Sequence, residues 1–145
     1  MIAAAFLETI QRDIEKFKSE IQLFPDEKLW KVQGDIKNSA GTLALHLTGN
    51  LKHFIGAMLG NTGYVRQRDK EFSDTNIPKE QLLQGLSEAA AVVTQTLASL
   101  SDEKLSAIFP IEFAGRQVTT FQMLLHITTH LNYHLGQVNY LRRMS

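Results

Sequence analysis

Four stretches of the chain repeat apolar residues every three or four positions, and this periodicity limits the possible folds more than any other feature. Such spacing places the apolar side chains on one face of an α-helix. In the first stretch the recurring residues are Phe6, Ile10, Ile14, Phe17 and Ile21. Pro25 follows, and the residue before a proline disfavours helical geometry, so we expect the first helix to end there.

The other three stretches also carry helix start signals. The second begins at Asn38 or Ser39, either of which can cap a helix, and runs to about Asn61. The third begins near Pro78, since proline is tolerated in the first helical turn. The fourth begins after Thr119 or Thr120 and continues almost to the C-terminus.

The segment between the third and fourth helices, "IFPIEFAGRQVTT", predicts a short hairpin or extended loop that turns at Ala114–Gly115. No other part of the sequence resembles a strand. The chain is therefore expected to be all-α, a four-helix bundle forming a single domain over residues 1–145.

Part of the second helix is repeated in the fourth. "LHLTGNLKHFIG" at 45–56 resembles "LHITTHLNYHLG" at 125–136. An offset of 80 aligns His46 with His126 and Asn50 with His130. The extra histidines occur only in the second copy, which suggests one site instead of two.

Composition excludes several classes of function. Lys plus Arg number 15 and Asp plus Glu number 15, so the chain lacks the basic excess that binding to nucleic acid or an anionic membrane requires. Without a membrane-spanning apolar run or a secretory signal, a soluble cytoplasmic protein is expected. There are no cysteines, so a metal must be held by His, Asp, Glu or Asn, and any thiol must arrive with the substrate.

The fourth helix carries His126, His130 and His134 at a spacing of four. Two histidines at this spacing can bind one ion, but His126 and His134 are separated by about 12 Å along the axis and cannot share it. The pair is therefore His126/His130 or His130/His134. Helical angles place the second pair nearer the apolar face and His126 at its rim.

A third ligand must come from another helix, and His46 is the best candidate because it flanks the apolar face of the second helix. Asn50 lies on the same flank. Three neutral imidazoles would leave coordination positions open, so such an ion could activate water or a thiol. Hydrogen-bonded structural histidines in a packed bundle remain the alternative. A metalloprotease is not expected, because neither "HITTH" nor "HLNYH" contains the glutamate base.

The motif H-x3-H-x-G-Q, formed by His130, His134, Gly136 and Gln137, resembles that of DinB/YfiT-like proteins. The segment "NSAGTLALHLTGNL" is also similar, and "GYVRQRDKEF" resembles a loop of one small uncharacterised branch. The resemblance implies an up-down-down-up bundle, a homodimer, and one divalent ion, zinc or nickel. Its ligands would be His46, His130 and His134.

Relatives in that family include bacillithiol- and mycothiol-dependent transferases, and others are regarded as hydrolases. The resemblance thus implies a metal-dependent enzyme that activates a low-molecular-weight thiol or water against a small-molecule substrate. Asn50, His126 and Gln137 are predicted to support the ligands. The alternative function is a non-catalytic metal-binding protein or a dimeric structural or interaction protein. Arg66, Arg68 and Glu71 follow the second helix, and we expect them to lie far from the metal.

Overall fold

The computed structural model describes all 145 residues. Its helices are α1 (Ile2–Leu23), α2 (Ala40–Leu51), α3 (Arg68–Ser73), α4 (Lys79–Ala98), α5 (Asp102–Ser106) and α6 (Thr120–Met144). A 3-10 turn lies at Asp26–Lys28, and α2 continues into a π-helical turn at Lys52–Ala57. The four predicted long helices are confirmed as α1, α2, α4 and α6, although the second ends at Ala57, earlier than the predicted Asn61.

Side-chain caps begin two of the long helices. Ser39 Oγ accepts a hydrogen bond from the Thr42 amide at 3.1 Å at the start of α2. Thr119 and Gln122 exchange reciprocal side-chain and backbone hydrogen bonds at the start of α6, a capping box. The short helices α3 and α5 were not predicted, because five or six residues are too few to show a helical period.

Contacts between α1 and its neighbours fix the direction of three helices. Asn132 donates to Asp13 at 2.9 Å and Asn139 to Glu20 at 2.8 Å, so residue numbers rise together and α6 runs parallel to α1. Gln11 donates to Thr94 at 2.6 Å, and Lys79 Nζ donates to the Gln22 carbonyl at 3.2 Å. In these two pairs the residue number rises along α1 while it falls along α4, so α4 is antiparallel to α1.

The remaining direction comes from contacts between α2 and α4. Lys52, just after α2, donates to Glu88 at 2.9 Å, and a Cβ placed on Gly85 would lie 3.3 Å from Thr48. Residue numbers rise together again, so α2 is parallel to α4. The bundle is therefore up-down-down-up, as predicted.

The loop before α6 is the predicted short hairpin. The Phe109 amide donates to the Val118 carbonyl at 2.8 Å. Its turn uses Ala114 and Gly115 with φ of 53° and 77°, a left-handed geometry typical of tight hairpin turns. A similar small turn, bridged between Gln33 and Ile36, precedes α2, so both halves of the repeat enter their second helix in the same way.

The interior is one cluster of 27 buried apolar residues to which all four long helices contribute. Seven polar or charged residues are buried as well. Four of them lie on α2 or on the short helix α3 that packs against it: Thr42, His46, Asn50 and Glu71. Buried polar groups need partners, so this part of the bundle requires an explanation that packing does not give. None of the helices combines the length and the hydrophobicity that are needed to span a lipid bilayer.

Candidate metal centre

Three imidazoles from α2 and α6 converge on one point. His130 Nε2 lies 3.1 Å from His46 Nε2 and 3.1 Å from His134 Nε2. One ring nitrogen from each of the three residues lies within 4.8 Å of the others. The structure thus brings together the three side chains that are predicted to be metal ligands.

The helices hold these rings in place. His130 and His134 are one turn apart on α6, and their ring centroids are 4.5 Å apart. His46 is buried, and its neighbours Leu43 and Leu47 are buried in the core. Since the apolar face of α2 fixes its rotation about the helix axis, His46 is directed towards α6.

Hydrogen bonds behind two rings determine where their protons lie. His46 Nδ1 is 3.1 Å from Glu71 Oε1, and His134 Nδ1 is 2.7 Å from Gln137 Oε1. Both oxygens are acceptors, so Nδ1 carries the proton and Nε2 presents a lone pair in each ring. His130 Nε2 can donate to only one of these lone pairs. Two lone pairs aimed at one nitrogen are the arrangement that a bound cation satisfies.

Two of the three separations between the nitrogens match those expected around a divalent ion. Metal–nitrogen distances of about 2.0–2.1 Å would separate two ligands by about 3.3 Å in a tetrahedral site and by about 3.0 Å in an octahedral one. The 3.1 Å separations of His130 Nε2 from His46 Nε2 and from His134 Nε2 lie between these values, and the third pair of nitrogens lies within 4.8 Å. Imidazole nitrogens suit zinc, copper, iron and nickel.

Glu71 and Arg66 complete the surroundings of His46. Arg66 donates from Nε to Glu71 Oε2 at 2.8 Å and from its terminal nitrogen to Oε1 at 2.9 Å. The expectation that these two residues lie far from the histidines is wrong. Positive φ values of 50° at Asn61 and 79° at Gly63 turn the chain, so that α3 packs back against α2.

Gly49 allows this close approach. A Cβ at position 49 would lie 2.0 Å from Glu71 Oε2, so no larger residue fits beside the carboxylate. This pairing was not predicted from the sequence, although both charged residues lie in "GYVRQRDKEF", the segment that resembles a loop of one small uncharacterised branch. The third residue of that group, Arg68, lies over the Phe72 ring, 5.1 Å from its centroid.

The predicted supporting residues differ in their placement. Gln137 contacts His134, as described. The His126 ring packs on Phe113, with centroids 4.3 Å apart, and is outside the three-histidine cluster. Asn50 is buried, and its Oδ1 has no hydrogen-bond partner. A Cβ on Gly136 would meet no atom within 4 Å, so this glycine is not required for helix packing.

Burial sets the charge states of the cluster. Burial, together with repulsion from His134 and His46, lowers the pKa of His130 to about 3, and burial also lowers the pKa of His134. For Glu71 burial acts in the opposite direction, but hydrogen bonds from His46 and Arg66 hold its pKa below the ordinary value. Neutral imidazoles at His130 and His134 and an ionised carboxylate at Glu71 are the states that metal binding requires.

These shifts predict acid sensitivity of the metal-free protein. An unfolded histidine binds its proton near pH 6.5, whereas folded His130 does so only near pH 3. Between these values the unfolded chain binds more protons, so the free energy of unfolding decreases as pH falls below about 6.5. Urea titrations with a chelator at pH 7.5 and 5.5 should show this loss. The free energy of unfolding of a His130→Gln variant should decrease less between these pH values. An equal decrease in both proteins would contradict the lowered pKa of His130.

Comparison with known proteins places the chain in a family. A family model described as "Protein of unknown function (DUF1572)" matches residues 1–145. The chain belongs to this family. No curated protein matches the sequence of this DUF1572 member.

Solved structures share the fold at low sequence identity. YfiT from Bacillus subtilis, described as a probable metal-dependent hydrolase with an unusual four-helix bundle topology, is 18% identical with a TM-score of 0.79, covering 98% of this chain and 86% of YfiT. A conserved protein from Enterococcus faecalis is 19% identical with a TM-score of 0.77, covering 99% and 96%. A DinB-like protein from Bacillus cereus ATCC 10987 is 19% identical with a TM-score of 0.75, covering 96% and 89%. The predicted DinB/YfiT-like fold is confirmed.

Proposed function

We propose that this DUF1572 protein is a divalent-metal-dependent enzyme acting on a small molecule, with His46, His130 and His134 as the metal ligands. The observation that carries the proposal is the convergence of three ring nitrogens, of which His46 and His134 have their Nδ1 protons held by acceptors. The description of YfiT as a probable metal-dependent hydrolase supports the proposal from a protein of the same fold.

The donor set favours zinc or nickel, since both accept imidazole nitrogen. When bound, the ion would act as a Lewis acid that lowers the pKa of a water molecule or a thiol. Three protein ligands are the number typical of catalytic zinc sites, where a fourth position remains for water or substrate.

The charges around the cluster favour an anionic reactant. Three neutral imidazoles leave both positive charges of a divalent ion uncompensated. Glu71 is the carboxylate in contact with the cluster, and Arg66 balances its charge. A thiolate, a hydroxide or a substrate carboxylate would neutralise one of these two charges. With no cysteine in the chain, the thiolate would come from a low-molecular-weight cosubstrate.

Aromatic side chains flank the ligands. The Phe72 ring centroid is 5.1 Å from that of His46, and the Tyr133 centroid is 5.4 Å from that of His134. Both residues are partly exposed, Phe72 by 37% and Tyr133 by 65%. They would contact the apolar part of a reactant while the imidazoles hold the ion.

The test is turnover by metal-loaded protein. Zinc- and nickel-loaded samples would be assayed with activated esters and small electrophiles, with and without a panel of low-molecular-weight thiols. We expect turnover that disappears on chelation and returns with the ion. Dependence on a thiol would identify transfer, whereas turnover without one would identify hydrolysis.

The alternative to catalysis is an ion that only joins α2 to α6. In that case X-ray absorption would show a coordination shell filled by protein atoms, unchanged by added thiol, and no substrate would turn over. This combination would reject the enzyme and retain the metal site. Absence of stoichiometric metal would reject both.

A further inference from the structure

We infer that Glu71 is a positioning residue for His46: clamped by Arg66, it holds the imidazole proton on Nδ1 and so keeps Nε2 free to bind the ion. The consequence for metal affinity depends on the proposed function. The position of the proton does not, because it is a property of the metal-free protein.

The clamp fixes the orientation of the carboxylate. Arg66 makes two hydrogen bonds, 2.8 Å to Oε2 and 2.9 Å to Oε1, which hold the carboxylate in the plane of the guanidinium. Oε1 also faces His46 Nδ1 at 3.1 Å, whereas the terminal nitrogen of Arg66 is farther from Nδ1, at 3.4 Å. The nearer neighbour of Nδ1 is therefore the acceptor. A carboxylate cannot rotate away from the imidazole without breaking the pair with Arg66, so the His46 ring has one preferred orientation.

Burial protects the arrangement from water. The Glu71 side chain is 7% exposed and that of Arg66 is 11% exposed. Gly49 provides the space for the carboxylate, because a Cβ there would overlap Oε2. In such surroundings charge-assisted hydrogen bonds are stronger than in water.

The three imidazoles differ in what lies behind them. His46 has a buried carboxylate 25 positions away in sequence, His134 has the amide of Gln137 three positions away, and Nδ1 of His130 has no partner. A carboxylate raises the basicity of its imidazole more than an amide does. His46 is therefore the strongest electron-pair donor to a metal among the three histidines. Because Glu71 lies on α3, the packing of α3 against α2 is coupled to the position of the proton on the His46 ring.

The test is Glu71→Gln. Glutamine has one oxygen, which Arg66 would take, leaving the amide N–H group facing His46 Nδ1. The proton of the ring should then move to Nε2. Two-bond ¹⁵N–¹H correlation spectra of the metal-free protein would show Nδ1–H in wild type and Nε2–H in the variant. Affinity for zinc, measured by competition with a chromophoric chelator, should fall about 10- to 100-fold.

Glu20→Gln is the matched control. Glu20 also pairs with an arginine, Arg142, and accepts from Asn139 at 2.8 Å, but it joins α1 to α6 away from the cluster. The Glu20→Gln variant should be less stable than wild type, but its His46 tautomer and its affinity for zinc should be unchanged. Gly49→Ala, which displaces the Glu71 carboxylate, provides a second route if Glu71→Gln does not fold.

The outcomes distinguish the role of Glu71 in setting the His46 tautomer from the proposed metal-dependent function. A wild-type tautomer and wild-type zinc affinity in both Glu71→Gln and Gly49→Ala would overturn the role of Glu71. If wild type binds no metal, the proposed function fails, yet the spectra still decide whether Glu71 sets the His46 tautomer. A tautomer change in the Glu20→Gln control would also overturn the inference, because the effect would then not be specific to Glu71.

Discussion

Replacing His130 with alanine is expected to abolish stoichiometric metal binding. His130 Nε2 is the nitrogen that lies 3.1 Å from both other ligands, and without it His46 and His134 remain as a pair. Structural zinc sites bind with about 10–16 kcal/mol, and removal of one ligand in three would cost roughly 3–5 kcal/mol. That corresponds to a loss of two to four orders of magnitude in affinity.

Elemental analysis of untagged protein would measure this effect, with about one ion per chain expected in wild type. His126→Ala is the matched control, because His126 lies one turn earlier on the same helix but outside the cluster. It should retain the ion. Equal metal content in His130→Ala and wild type, or equal loss in the two variants, would contradict the assignment of the ligands.

The bound ion is expected to stabilise the fold strongly. It would connect α2 to α6, whose ring nitrogens are assembled only in the native state. At a free metal concentration of a thousand times Kd, the free energy of unfolding should rise by about 4 kcal/mol. For a chain of this size the Tm should increase by roughly 10 °C.

Calorimetry of zinc-loaded and chelator-treated protein would measure the shift. His130→Ala treated with the same zinc concentrations should show little change in Tm. If wild type shows no increase either, the ion does not bind the native state preferentially. A similar increase in both proteins would place the bound ion elsewhere on the molecule.

Local sequence patterns were sufficient to predict the helices and the two candidate metal ligands on α6. The spacing of four between His130 and His134 fixes their separation on α6 wherever that helix packs, because helical geometry depends only on neighbouring residues. Ser39 and Thr119 begin their helices for an equally local reason, since each side chain bonds to an amide three positions later. The fold class followed from apolar periodicity, which demands that each helix bury one face.

Tertiary structure decided what lies behind His46. The position of Glu71 depends on a turn at Asn61 and Gly63, and on the space left by Gly49, which is 22 residues earlier in the chain. Neither feature has a helical period. The sequence by itself therefore determined which side chains could bind an ion, from helical spacing and the absence of cysteine. Only the packing of α3 against α2 determined which carboxylate orients the His46 ring. The chain after α2 folds back onto that helix because of long-range contacts, which local propensity does not predict.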